Sequence, residues 1–361
     1  MQTSAKHETS SNPMDEKFML RCIQLAKNGL GTTAPNPMVG AVVVHNNQII
    51  GEGHTSPYGG PHAEVNAIAS VANKEILQEA TLYVTLEPCS HFGKTPPCAD
   101  LLIKNQIKRV VIGLRDPHEK VAGKGIQKLV AAGCEVMVGV LEQECRAHHK
   151  RFLTVQEKQR PYIILKWAET SDGFIAPKKE HREIAPQPYW ITGKLSRQLV
   201  HKWRSEEQAI LVGTATAIAD NPKLDARLWT GKSPIRVLLD KDLKVPSTYH
   251  ILDKKQRTIV CTLVADTSRH LEGIEYIVLT TSTNTTAAIC NQLYKLNIQS
   301  LIIEGGAKTL QSFINANLWD EARVFKGTSE FKNGIQGPQC NGTVVTEINI
   351  DKDLLTMYKN D

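Results

Sequence analysis

The sequence predicts a two-domain α/β protein, and three observations carry that expectation. The chain has 361 residues, and a single domain usually holds about 100–200. Strand-like apolar runs alternate with helical periodicity in two separate blocks. Between the blocks lies a basic, polar stretch, residues 148–160, which ends at Pro161 and reads as a linker.

In the first block, helical periodicity begins near Asp15, with Phe18, Met19, Cys22 and Ile23 on one face. Residues 1–13 are polar and lack the apolar stretch of a secretory leader, so they read as a flexible extension. Gly29 and Gly31 end the helix, and Pro35-Asn36-Pro37 makes a rigid loop. Val39–His45 and Gln48–Gly53 flank Asn46-Asn47, a hairpin signature. A helix over His62–Val71, a strand over Thr81–Leu86 and a helix over Ala99–Gln106 follow. Strand Arg109–Gly113, helix Lys124–Ala131 and strand Glu135–Val140 complete a first domain assigned to residues 14–147.

The second domain is assigned to residues 161–361. Its strands are expected at Tyr162–Trp167, Gln208–Val212, Ile235–Leu239, Thr258–Leu263, Tyr276–Leu279 and Ser300–Ile303. Helices fit at Leu195–Arg204, Thr286–Leu296 and Lys308–Asn317. Beyond Asp320 no pattern is readable. No repeat of 20–50 residues links the halves, so they read as two different folds.

Composition narrows the function. A chain 41% hydrophobic and 22% charged is globular, which excludes disorder, collagen and a long coiled coil. Apolar runs such as Gly40–Val44 fall far short of the ~20 residues of a membrane span, so no membrane partner is expected. A net charge of +6 over this length hints at an anionic small molecule and makes no case for nucleic acid. The eight cysteines lack the spacing of a disulfide scaffold, so reduced thiols and a cytoplasmic location are expected. A homo-oligomer, a dimer or larger, is also expected.

The sharpest signal is His62-Ala63-Glu64 with Pro88-Cys89 and Pro97-Cys98. Imidazole and thiolate are the donors zinc favours, and His62, Cys89 and Cys98 supply three. Three protein ligands leave a fourth position for water, as in a catalytic site. One zinc per chain is expected. Glu64 lies close enough to His62 to move protons without ligating the metal. The pattern follows the H-x-E…P-C-x-x-C signature of zinc nucleobase deaminases, except that eight residues separate the cysteines. A lone His or Cys is usually structural, and His91 is available as a fourth ligand if the site is a zinc knuckle.

Three segments together resemble the bifunctional riboflavin biosynthesis deaminase/reductase family. They are Thr33-Ala34-Pro35-Asn36-Pro37-Met38-Val39-Gly40, the His62-Ala63-Glu64 helix, and the run from Thr85-Leu86-Glu87-Pro88-Cys89 to Pro97-Cys98. The long insert between the cysteines is characteristic of that family. The resemblance implies a cytidine-deaminase-like three-layer α/β/α domain. It also implies hydrolytic removal of the C2 amine of 2,5-diamino-6-(5-phosphoribosylamino)pyrimidin-4-one, with Glu64 catalytic. His91 and Lys94 are expected to meet the ribose phosphate, and Asn36 and His54 to contact substrate.

The second half has no G-x-G-x-x-G after a strand. It offers Ser171-Asp172-Gly173 and Glu304-Gly305-Gly306, the latter opening a helix whose N–H groups suit phosphate. With Lys166-Trp167-Ala168, Trp190-Ile191-Thr192 and the run Gly213–Pro222, these segments resemble the family's reductase domain, which is similar to dihydrofolate reductase in fold and uses NADPH. The resemblance implies cofactor contacts at Ala168, Trp190, Thr216, Asp220 and Gly306. It implies substrate contacts at Arg204, Leu224, Arg227 and Glu304, where the guanidinium forks suit a phosphate. Pro188 stands where many members carry a hydroxyl or amide, and it is given no contact. The resemblance covers about residues 14–320.

A tRNA-adenosine-type deaminase with an RNA-binding second half is the competing reading. It calls for a short Cys-x-x-Cys and a markedly basic C-terminal half, and neither is present.

Overall fold

The computed structural model describes residues 12–92, 96–117, 122–178, 180, 185–280 and 284–360. The chain divides into two units between Lys158 and Gln159.

Unit 1 runs α1 (Pro13–Ala26), β1 (Gly40–His45), β2 (Gln48–His54), α2 (Ala63–Ser70), β3 (Thr81–Val84), α3 (Cys98–Lys104), β4 (Arg109–Ile112), α4 (Lys124–Ala131), β5 (Glu135–Val138), α5 (Glu142–His148) and α6 (Lys150–Lys158). Its sheet has the order β2-β1-β3-β4-β5. The β1 strand is antiparallel to both β2 and β3, whereas β3, β4 and β5 are parallel. The hairpin turns at Asn46 and Asn47, both left-handed with φ 49° and 59°, which Asn tolerates better than most residues.

Two glycines show how helices cover both faces. A Cβ on Gly40 would lie 1.9 Å from the Cys22 carbonyl oxygen in α1. Gly53 pairs with Ala41 and so faces the other way; a Cβ there would lie 2.3 Å from the Ala67 nitrogen in α2. The two helices therefore sit on opposite faces, giving the expected α/β/α layering. Ala41, Val42 and Val43 are buried between them.

The ends of unit 1 depart from the sequence reading. Asn12 caps α1 by accepting from the Met14 N–H at 3.0 Å, so the folded chain begins before Met14; residues 1–11 lie outside the described residues. The linker expected at residues 148–160 is mostly the helix α6. Phe152, Leu153, Thr154 and Val155 are buried on it, while its other residues are charged or amide-bearing and dominate the sequence pattern. Just before it, His148 at the end of α5 donates from Nε2 to the Met38 carbonyl at 2.7 Å, and His149 Nε2 lies 3.1 Å from Thr85 Oγ1.

Unit 2 runs β6 (Tyr162–Glu169), β7 (Phe174–Pro177), α7 (Lys194–Glu206), β8 (Ala209–Gly213), α8 (Thr214–Asp220), β9 (Ile235–Leu239), β10 (Thr258–Thr262), β11 (Glu275–Val278), α9 (Thr285–Lys295), β12 (Ser300–Glu304), α10 (Ala307–Asn315), β13 (Glu321–Lys326), β14 (Gly334–Gln336), β15 (Thr343–Ile350) and β16 (Asp353–Lys359). Its nine-stranded sheet has the order β11-β10-β9-β8-β12-β6-β13-β16-β15. From β11 to β13 the strands are parallel, and β16 and β15 close the edge antiparallel. Parallel strands buried on both faces read as continuous apolar runs, which made β6, β8 and β12 legible. The segment after Asp320 is strand, and β13 lies beside β6 in the sheet interior. Asp320 fixes that join, accepting from Arg160 at 2.6 and 2.8 Å and from the Ile163 N–H at 2.9 Å. Among the described residues no helix is long and apolar enough to cross a membrane.

Candidate active sites

Local structure brings the three ligand-type side chains of unit 1 together. His62 is the N-cap residue of α2, Cys98 opens α3, and Cys89 lies in the turn after β3. That turn is held rigidly. The Glu87 carboxylate accepts from the backbone N–H groups of Asp116 (3.3 Å), Gly123 (3.0 Å), Gly125 (3.0 Å) and Ile126 (3.2 Å). The Pro88 carbonyl packs so closely on Gly125 that a Cβ there would lie 2.1 Å from its oxygen.

The ligand atoms of His62, Cys89 and Cys98 all lie within 4.8 Å of one another. His62 Nδ1 is 3.3 Å from Cys98 Sγ and 3.7 Å from Cys89 Sγ, and the Cys98 N–H donates to Cys89 Sγ at 3.3 Å. The Cys89 thiol is held down at about 4, chiefly by the hydrogen bond from the Cys98 thiol and then by His62 and the Cys98 N–H, against the opposing effect of burial. Cys98, donating to Cys89 and buried, is pushed up. One nitrogen and two sulfurs at this spacing fit zinc, and three ligands leave a position open. His91 is exposed and outside the group, so it does not supply a fourth ligand.

Glu64, in the first turn of α2, is 4% exposed. Burial and then the Cys89 thiolate push its carboxyl up to about 7, where it can both take and give a proton near neutrality. Asn36 is half-buried in its loop, its N–H bonded to the Thr33 carbonyl at 2.9 Å. His54 is half-buried at the end of β2, its carbonyl accepting from Asn66. Neither is hydrogen-bonded to the cluster, and Lys94 lies outside the described residues.

Unit 2 has a cavity of about 370 Å³ at the carboxyl ends of β6, β8 and β12, the usual ligand position in an open parallel sheet. Ala168, Trp190, Thr216, Asp220, Gly306, Arg204, Leu224, Arg227 and Glu304 all line it. Gly305 and Gly306 are left-handed, with φ 75° and 70°, and open α10. A Cβ on Gly306 would lie 2.8 Å from Thr216 Oγ1, so the glycine lets the N-termini of α8 and α10 meet at the cavity. Trp190 is half-exposed, with the Arg197 guanidinium 4.6 Å from its ring centre.

Glu304 is gripped by Arg204 through both oxygens, and Lys166 Nζ lies 3.7 Å away. Burial alone would raise its carboxyl, but Arg204 and Lys166 pull it down to about 2. Arg204 also donates to the Asp225 carbonyl at 3.1 Å, so three of its five N–H donors are engaged within the protein. Arg227 is paired with Asp225 and is more exposed. Sequence reasoning gave no role to Lys166 or His201, which also line the cavity. The available signal for Lys166 was a cation at the end of the apolar strand Tyr162–Trp167.

A His and a Cys at two helix starts, a second Cys and a buried Glu, on a sheet layered between helices, define the zinc-binding deaminase class. Residues 12–114 match the family model of the cytidine and deoxycytidylate deaminase zinc-binding region, and residues 161–327 match the RibD C-terminal domain. The chain belongs to the RibD family of riboflavin biosynthesis proteins. It is 42% identical to the riboflavin biosynthesis protein RibD of Aquifex aeolicus over 317 residues, covering 86% of each chain. Against RibD of Escherichia coli it is 34% identical over 327 residues, covering 86% of this chain and 87% of that one. Among solved structures it is similar to a diaminohydroxyphosphoribosylaminopyrimidine deaminase/5-amino-6-(5-phosphoribosylamino)uracil reductase of Thermotoga maritima. The TM-score is 0.87 at 38% identity, over 96% of this chain and 99% of that one. RibD of Acinetobacter baumannii gives 0.85 at 33% identity over the same shares. The second half matches a reductase-family domain, so the RNA-deaminase alternative is not favoured.

Proposed function

We propose that this chain catalyses two successive steps of riboflavin biosynthesis. Unit 1 hydrolyses the C2 amine of 2,5-diamino-6-(5-phosphoribosylamino)pyrimidin-4-one, water replacing the amine and ammonia leaving. Unit 2 then reduces the ribosyl group of the resulting 5-amino-6-(5-phosphoribosylamino)uracil to ribityl, with hydride from NADPH and a proton from the medium. The carrying observation is the convergence of His62, Cys89 and Cys98 near neutral-range, buried Glu64.

His62, Cys89 and Cys98 would hold the zinc, which would supply the acidification of water that hydrolysis needs. Glu64 takes a proton from the attacking water and passes it to the ring nitrogen and then to the leaving amine. Asn36 and His54 orient the pyrimidine, and His91 and Lys94 hold its ribose phosphate. In unit 2, Ala168, Trp190, Thr216, Asp220 and Gly306 bind NADPH, which supplies hydride. Arg204, Leu224, Arg227 and Glu304 hold the ribotide. The enzyme acts in the cytoplasm on small molecules, without nucleic acid, as a homo-oligomer.

The test supplies the diaminopyrimidine ribotide with and without NADPH and identifies the products. Deaminated ribotide is expected without NADPH and its ribityl derivative with it. Unchanged substrate in both would overturn the proposal.

A further inference from the structure

The α7 helix presents Arg197, His201 and Arg204, spaced four and three residues apart, to the reductase cavity along one stripe. Arg204 is paired with Glu304, and Arg197 lies over the Trp190 ring with its Nε buried and not hydrogen-bonded. His201 has no hydrogen-bond partner among the described residues. It is 4% exposed, and its Nδ1 is buried without a hydrogen bond. Buried side-chain nitrogens are nearly always satisfied, so an imidazole left open at a cavity wall points to a missing ligand.

The surroundings say what kind of ligand. Arg204 on α7, Arg227 and Asp225 in the loop after α8, and Glu304 at the end of β12 all act on the ring. Lys166 on β6 stands behind Glu304. Three cations thus stand with two carboxylates: Glu304 is held by Arg204 and Lys166, and Asp225 is paired with the more exposed Arg227, which leaves one positive charge in excess. Resting on the reductase reading, we propose that His201 contacts the phosphoryl group of the ribotide substrate, together with Arg227.

Burial, Arg204 and Arg227 keep the empty ring neutral, holding it down at about 4. A phosphoryl dianion entering this end of the cavity offsets those cations and favours a proton on the ring. The imidazolium then offers N–H donors to the phosphoryl oxygens. A sugar hydroxyl carries no charge and would not produce that reversal.

The test compares the deaminated ribotide with its dephosphorylated riboside in NADPH-dependent reduction by the full chain, with His201→Gln as the variant. Its kcat/KM for the ribotide is expected to fall roughly tenfold to a hundredfold, the range of a lost charge-assisted hydrogen bond, and that for the riboside much less. Equal falls for both substrates would show a merely structural role and overturn the proposal. If the Gln variant loses the fold of unit 2, His201→Asn is read on the same ratio. An unsubstituted enzyme that leaves the ribotide unreduced overturns the reductase reading itself. Ribotide reduction with an unaltered ratio in the variant overturns only the role of His201.

Discussion

Arg204 and Glu304 form a two-pronged ion pair inside the reductase cavity, Nε to Oε1 at 2.8 Å and Nη2 to Oε2 at 2.7 Å. Their side chains are only 13% and 9% exposed, so neither charge has water to fall back on. We expect Glu304→Gln to destabilise unit 2 by about 3–5 kcal/mol, because Arg204 and Lys166 lose their counter-charge. The carboxyl sits at about 2 in the fold against an ordinary 4.5, so its contribution is complete above 4.5 and is lost as the pH falls from there toward 2. Unfolding free energies of the two proteins, measured across that window, should converge at its acid end. A gap that persists or widens there would contradict this account.

Glu64→Gln keeps the shape of the side chain but cannot accept a proton. Zinc content should stay near one per chain while deamination falls by about 10²–10⁴. Near-normal turnover by this variant would remove Glu64 from the mechanism.

Stripping zinc with a chelator should abolish deamination and leave reduction of pre-formed deaminated ribotide largely intact. Cys98→Ala should bind zinc poorly and deaminate poorly, since two ligands remain of three. Full occupancy and full activity in this variant would refute the ligand assignment.

Arg227 belongs to unit 2, whereas the zinc ligands belong to unit 1, and it gives the reciprocal case. Arg227→Ala should still deaminate but reduce the ribotide roughly tenfold to a hundredfold less efficiently in kcat/KM, for loss of a charge-assisted contact. Supplying each half-reaction's substrate separately checks this, and a folded variant that had lost both activities would show the sites to be coupled.

The legible parts of this protein are those whose signal is local. Asn46-Asn47 declares a hairpin turn, and the apolar runs of β6, β8 and β12 declare buried parallel strands. His62, Cys89 and Cys98 were recognisable because zinc restricts the donor types. The strand β13 was not legible, because Glu321 and Arg323 are buried inside it and break the apolar run. The edge strand β15 exposes Val344, Val345 and Ile348 and so shows no alternation. His201 lies one helical turn before Arg204 in plain view, but no sequence pattern tells that its ring lacks a partner.

The two histidines where α5 gives way to α6 bear on where this chain divides. His148 holds the carbonyl of Met38, two residues past Asn36, and His149 holds Thr85, four residues before Cys89. Two loops, one of them leading into Cys89, are thus fastened from the far end of the same unit. A gene split ahead of residue 148 would separate those loops from their clasp and strip Phe152, Leu153 and Val155 from the core. The natural seam for fission or fusion of the two activities therefore lies after Lys158.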